Sequence, residues 1–410
     1  MQLTRRARQD GAALLLMLFV VTMVLSSILL SGLSKSDLET QRQKKTLATL
    51  AQAKHALIAW SVLQGDNGSG TYPRPGSLPC PDRNNLGTLN SGNASASCST
   101  SGGTSIGRLP WKSLGIEDLR DAEGELLWYA VSDNFRKATA GSFPAINSDT
   151  KGTLLLYAAD GSTLLTGSGE ELAAIVIAPG RPLTGQDRSG APDAVTSYLD
   201  SGNGRNNASA GGPFIAGLAR NAQGDVVVND VVIGISAREL MAAVEKRALR
   251  EAENALSAFA TANGGKYPNP ASASGANCAA AIPSVSSPTV CASDSTTCIG
   301  RLPEDLVYPP AAPWFRQNGW GRVMTYAVNA NYAMDGSGMG CSTALNVDGQ
   351  TKRYVLVAPG TPQGAQTRPS TTLSNYLEDA ANADAWSPDP SFAAPGTANA
   401  NSNDQLRSYP

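Results

Sequence analysis

The chain opens with two consecutive apolar patterns. Ala12 to Leu33 reads AALLLMLFVVTMVLSSILLSGL without a charge, and at ~1.5 Å per helical residue such a run matches a ~30 Å hydrocarbon core. Residues Ser34 to Gln64 then contain neither Pro nor Gly, and Leu47, Leu50, Leu57 and Ile58 recur at helical spacing. Gly65, Asn67, Gly68 and Gly70 mark the end of that helix. The pattern predicts one continuous helix, its first part a transmembrane segment over 12–34 and its second part packed on a soluble domain. A second amphipathic helix is predicted over Ser236–Asn263, with Leu240, Val244, Ala248, Ala252, Leu256 and Phe259 on its apolar stripe and Gly264–Gly265 after it. Short β-branched and aromatic runs supply candidate strands at Leu126–Ser132, Gly152–Ala158 and Ala173–Ala178, then at Val323–Asn329 and Arg353–Ala358.

These segments repeat. TYPRP (Thr71–Pro75) returns as KYPNP (Lys266–Pro270), and IGRLP at Ile106–Pro110 returns identically at Ile299–Pro303. LLWYAV (Leu126–Val131) matches VMTYAV (Val323–Val328), AIVIAPG (Ala174–Gly180) matches YVLVAPG (Tyr354–Gly360), and SYLD (Ser197–Asp200) matches NYLE (Asn375–Glu378). Five matches in one order indicate an internal duplication with loop insertions. The -APG- pair reads as fold punctuation after a strand. Arg108 and Arg301 of IGRLP read as packed arginines tied to local carbonyls. Asp-Gly at Gly161 and Gly349 reads as hairpin turns.

Composition narrows the chemistry. Of 410 residues only 16% are charged, against a usual ~25%, while Gly (41) and Pro (25) are plentiful. A net charge of −2 offers no basic face for nucleic acid. His55 is the single histidine, which disfavours histidine-base and triad chemistries. No catalytic constellation stands out, and the chain reads as non-enzymatic. Asp66, Asn67 and Gly68 resemble a calcium-loop fragment, but the EF-hand spacing and its terminal glutamate are missing. No metal ligand or cofactor is assigned.

The N-terminus carries a family resemblance. MQLTRRARQDG, with Arg5, Arg6 and Arg8, ends in Gly11 and is followed at once by the apolar helix. This resembles the start of type IV pilins and type II secretion pseudopilins, most closely the X-type minor pilins and the K-type minor pseudopilin. The resemblance in detail covers Arg8 to Leu33. It implies cleavage after Gly11 by a prepilin peptidase on the cytoplasmic side, methylation of the new terminus Ala12, and a helix that packs among those of other pilins or pseudopilins. Calcium is a further expectation of the pseudopilin resemblance. Most pilins carry glutamate at the fifth mature position, where this chain has Leu16. That carboxylate neutralises a neighbour's N-terminal ammonium in an apolar setting, where an unpaired charge costs several kcal/mol. Leu16 therefore points to a tip or priming subunit.

The expected fold is α+β: a leader over 1–11, the transmembrane helix over 12–34, a pilin-like helix-on-antiparallel-sheet domain over 35–221, a linker or strand at 222–235, a second such domain over 236–380, and a flexible tail over 381–410. The expected function is a minor pilin or pseudopilin that primes or caps a fibre, with a cytoplasmic N-terminus and a periplasmic ectodomain that reaches the pilus tip or cell surface after assembly. The second reading is a signal-anchored periplasmic or surface adhesion protein that never enters a fibre. An oxidising periplasm favours disulfides, and the repeat pairs Cys80 with Cys98 and Cys278 with Cys291, leaving Cys298 and Cys341 as an extra clamp. Trp314, Phe315 and Trp320 are the candidate exposed contact surface.

Overall fold

The computed structural model describes residues 7–64, 74–96, 98, 104–137, 145–167, 170–189, 194–274, 278, 291–292, 294, 298–304, 313–335, 343–383, 391–393 and 402–410; within the first helix, side chains are described at 14–28 and from 37 onward. Asp66, Asn67, Gly68 and Cys341 lie outside the described residues.

Helix α1 spans Ala7–Val62. Its inner face is read off the spacing of Thr46, Leu50, Ala53, Leu57 and Ser61, all buried. The N-terminal part is continuous helix, but the transmembrane expectation is corrected: among the described residues no helix is long and apolar enough to cross a membrane.

The first sheet is antiparallel, with β1 (Thr104–Arg108), β2 (Trp128–Ser132), β3 (Leu172–Ala178) and β4 (Val231–Ser236) in that spatial order. Alternation sends Tyr129, Val131, Val176 and Ala178 toward the helices. Trp128, Ala130, Ile175 and Ile177 face a second layer built on Leu154, Leu156, Tyr198, Leu199 and Phe214. The strand expected over Gly152–Ala158 shrinks to Leu156–Tyr157. Of the two readings of segment 222–235 the strand one holds for its second part, where β4 pairs with β3 along its whole length.

β4 ends at Ser236 and helix α2 (Ala237–Ala262) begins at the next residue. The Ser236 hydroxyl accepts from the Glu239 N–H at 3.1 Å and so serves as the N-cap. At the other end the Gly265 N–H returns to the Ala260 carbonyl. The second sheet comprises β5 (Ile299–Arg301), β6 (Thr325–Val328), β7 (Tyr354–Ala358) and β8 (Gln405–Tyr409). Its order, β5-β6-β7-β8, and its antiparallel pairing copy the first sheet strand for strand. The tail expected over 381–410 thus contributes a fourth strand. Its residues 384–390 and 394–401 lie outside the description.

The halves do not have separate cores. Helix α2 packs against α1, β3, β4, β7 and β8, and one continuous apolar cluster runs from Leu57 through Val244 and Leu256 to Tyr354. Leu240→Ala, at a fully buried α2 position, is expected to cost about 2–5 kcal/mol. Urea unfolding should show both halves losing structure in a single shifted transition.

Candidate functional site

Three features stand out: the N-terminal helix surface, the seam between the halves, and a polar module present twice. On α1, Leu14 is 72% exposed, Leu16 68% and Phe19 63%, and Met23, Leu25 and Ile28 are also exposed. Gly11 and Ala12 lie within the helical span. Each of these large apolar side chains would gain about 1.5–3 kcal/mol on full burial. His55 is exposed further along the same helix.

The expected aromatic contact surface is corrected. Trp314, Phe315 and Trp320 are all buried. The short helices Pro313–Gln317 and Trp320–Val323 tuck into the seam. Between them the Asn318 side-chain oxygen accepts the Ile146 N–H at 3.0 Å, and the Asn147 amide donates to the Asn318 carbonyl. The Arg247 guanidinium of α2 lies 4.8 Å over the Trp314 ring and donates to the carbonyls of Val62 and Gln64 at the end of α1. Both tryptophans belong to the buried core, and the bonds across the seam are made by Asn318 and Arg247.

Cys80–Cys98 and Cys278–Cys291 are disulfides, with Cα separations of 5.4 and 4.8 Å. Cys298 is disulfide-bonded as well. The two bridges are less equivalent than the repeat suggested. Leu78 N–H donates to the Phe135 carbonyl and the Leu78 carbonyl accepts from Lys137; Tyr267 makes the same two bonds with Tyr332 and Met334. Asp82 exchanges backbone bonds with Arg108 as Ala271 does with Arg301. The Tyr129 hydroxyl donates to the Pro79 carbonyl at 3.2 Å, and Tyr326 to that of Pro268 at 3.1 Å. Hence KYPNP corresponds to Ser77–Pro81, not to Thr71–Pro75, and Cys80 stands where the second half has Asn269.

The IGRLP arginines behave as packed cations. Arg108 donates to the Asn84 carbonyl beside Asp82. Arg301, 1% exposed, stacks 3.8 Å from the Tyr376 ring and donates to the Ser370 carbonyl.

The sequence reading missed the duplicated module, although its signal is present: a Gln-x-Arg placed identically after each -APG-, and an Asn-Asp before each fourth strand. Gly180 and Gly360 adopt φ of 63° and 64°, a left-handed turn that glycine allows. Beyond the turn, Arg188 donates to the carbonyls of Gly180 and Ser197, while Arg368 donates to those of Gly360 and Asn375. Gln186 accepts from the Leu183 N–H and donates to Asp200 at 2.8 Å; Gln366 accepts from the Gln363 N–H and donates to Glu378 at 2.8 Å. Asp200 then accepts from the N–H of Asn229, as Glu378 does from Asn403. Asn229 and Asn403 in turn donate to the carbonyls of Arg181 and Thr361. The arginines differ in their acids: Arg188 pairs with Glu125 of its own half at 2.9 Å, whereas Arg368 reaches Asp149 of the first half at 3.4 Å.

Each module brings two acids together where the fourth strand begins. Burial, and then the neighbouring Asp200 charge, push the Asp230 carboxyl well above the usual range. Burial and the Glu378 charge push Asp404 up to about 8. Glu245 of α2, fully buried between Ser148 and Gln405, is raised by burial to about 7. Among the described residues no group of three or more His, Cys, Asp or Glu is placed to hold a metal. A cleft of ≈580 Å³ opens between Lys151, Glu170, the start of α2 and residues 361–366.

Carboxyls with raised folded pKa values bind more protons in the folded than in the unfolded chain. Their contribution is fully present below about pH 4 and is lost as pH rises through 7–8. The urea midpoint should therefore fall between pH 5.5 and pH 8.5, and Asp230→Asn should reduce that fall. No protein-family model matches the chain, and neither the curated proteins nor the solved structures yield a similar one.

Proposed function

We propose that this chain is a minor structural subunit that primes or caps a type IV pilus-like or type II secretion-like fibre. The observation that carries the proposal is the exposed apolar surface from Leu14 to Ile28 on a helix whose other end is built into a folded body. Such a surface gains most from packing against equivalent helices of other subunits. The Arg-rich leader, Gly11 and Ala12 supply the expected processing site, and the prepilin peptidase and other pilins are the partners that follow. Leu16 offers no carboxylate to a neighbouring N-terminus, which suits a subunit with a free position at one end of the fibre. The disulfides favour an oxidising compartment for the folded body.

Intact-mass measurement of the protein isolated from cells tests this reading. The expected result is loss of residues 1–11 and one added methyl group on Ala12. Substituting Leu14, Leu18 and Leu25 together with Ser should leave the body folded and abolish co-purification with fibres. An uncut Met1 terminus would overturn the proposal.

A further inference from the structure

The cleft at the start of α2 is walled by both halves of the chain. Its apolar side is fixed by backbone bonds: the Leu165 N–H donates to the Leu156 carbonyl at 2.8 Å, and Leu172 exchanges bonds with Leu154. Leu156, Leu165 and Leu172 all line the space, and Leu165 stays 54% exposed there. The second half contributes residues 361–364, from the turn after β7. At ≈580 Å³ the cleft falls within the range of about 300–1,000 Å³ usual for pockets that hold small ligands.

Three polar features share these walls. The first is the N-terminus of the 26-residue helix α2, where partial positive charge collects. There the Ser236 hydroxyl takes the Glu239 N–H, whereas the N–H groups of Ala237 and Arg238 have no acceptor within the helix. The second is Thr166, which is only 6% exposed and whose hydroxyl has no hydrogen-bond partner, an unfavourable state for a buried donor. The third is Lys151, which is exposed and makes no ion pair among the described residues. The acids nearby are already engaged. Glu170 pairs with Arg238 at 3.0 Å and Glu239 with Lys54 at 2.6 Å. Asp149, whose charge Lys151 also feels, is held by Arg368 at 3.4 Å.

We propose that this cleft binds a carboxylate carried beside an aliphatic group, the chemistry of a peptide's C-terminal leucine or of a free acylated amino acid. The helix N–H groups and the Thr166 hydroxyl are donors for the carboxylate oxygens, and Lys151 supplies the opposite charge. Leu156, Leu165 and Leu172 receive the aliphatic group, which accounts for an exposed leucine in a fixed wall. One uncommitted cation matches a single negative charge. A phosphate's second charge would stand against Glu170 and Glu239, which line the same space. The inference stands on the cleft alone and is independent of the fibre reading.

Calorimetric titration of the full chain in detergent tests this, with three probes: N-acetyl-leucine, an acetylated tripeptide ending in leucine, and the same tripeptide as its C-terminal amide. Both acids should bind saturably, and the amide at least about tenfold more weakly, because it lacks the charged acceptor. Lys151→Met, at an exposed position, and the near-isosteric Thr166→Val should each weaken the acids and leave the amide unchanged. A tripeptide that binds more tightly than N-acetyl-leucine assigns the site to a chain end, and equal affinity assigns it to a free acid; both results support the site. Absence of saturable binding, equal affinity for acid and amide, or acid binding that both variants leave intact would overturn the proposal.

Discussion

The burial of helix α2 on more than one side is the constraint on which the rest of the molecule depends. A helix that packs one sheet needs a single apolar stripe. α2 buries Leu240, Met241, Val244, Ala248, Leu249, Ala252, Leu256 and Ala260, enough surface to meet α1 and both sheets. Each sheet then has its helix-facing side covered. The first sheet gains a further layer on its other face from Leu154, Leu156, Tyr198 and Phe214. What began as two copies of a helix-and-sheet plan has become one folding unit with a shared interior.

The polar seam follows from that sharing. Where two halves meet over a common helix, their loops must satisfy backbone groups that solvent no longer reaches. Asn318 does this for Ile146, and Arg247 does it for the end of α1. The duplicated arginine shows how a repeated element diverges under this demand. Arg188 and Arg368 keep the same carbonyl partners within their own halves, yet the second takes its acid from across the seam. Local geometry is retained while the longer contact is rewired.

Much of the fold was legible in the sequence because helical spacing, β-branched runs and the repeat are local signals. α2 lies within one residue of its expected bounds, and two disulfides join the expected cysteines. β4 and β8 were harder to read. VVIGIS was readable as a strand without a home, and QLRSY carries too little apolar pattern to announce one; its place is set by pairing with β7. Trp314 and Trp320 misled because large aromatics in a Pro- and Gly-rich segment suit a surface and a seam equally well. The Gln-x-Arg module was visible as spacing, but its meaning depends on side chains that fold back onto carbonyls many residues away.

Ser236 is both the last residue of β4 and the cap of α2, so no slack separates the halves. A linker would let the second half swivel and absorb extension before passing it on. Here a pull along α1 enters the common interior through Leu50, Ala53 and Leu57, and is carried by side-chain packing and by the Arg247 tie. With no loop at this joint, β4 and α2 can turn relative to one another only by giving up the Ser236 cap.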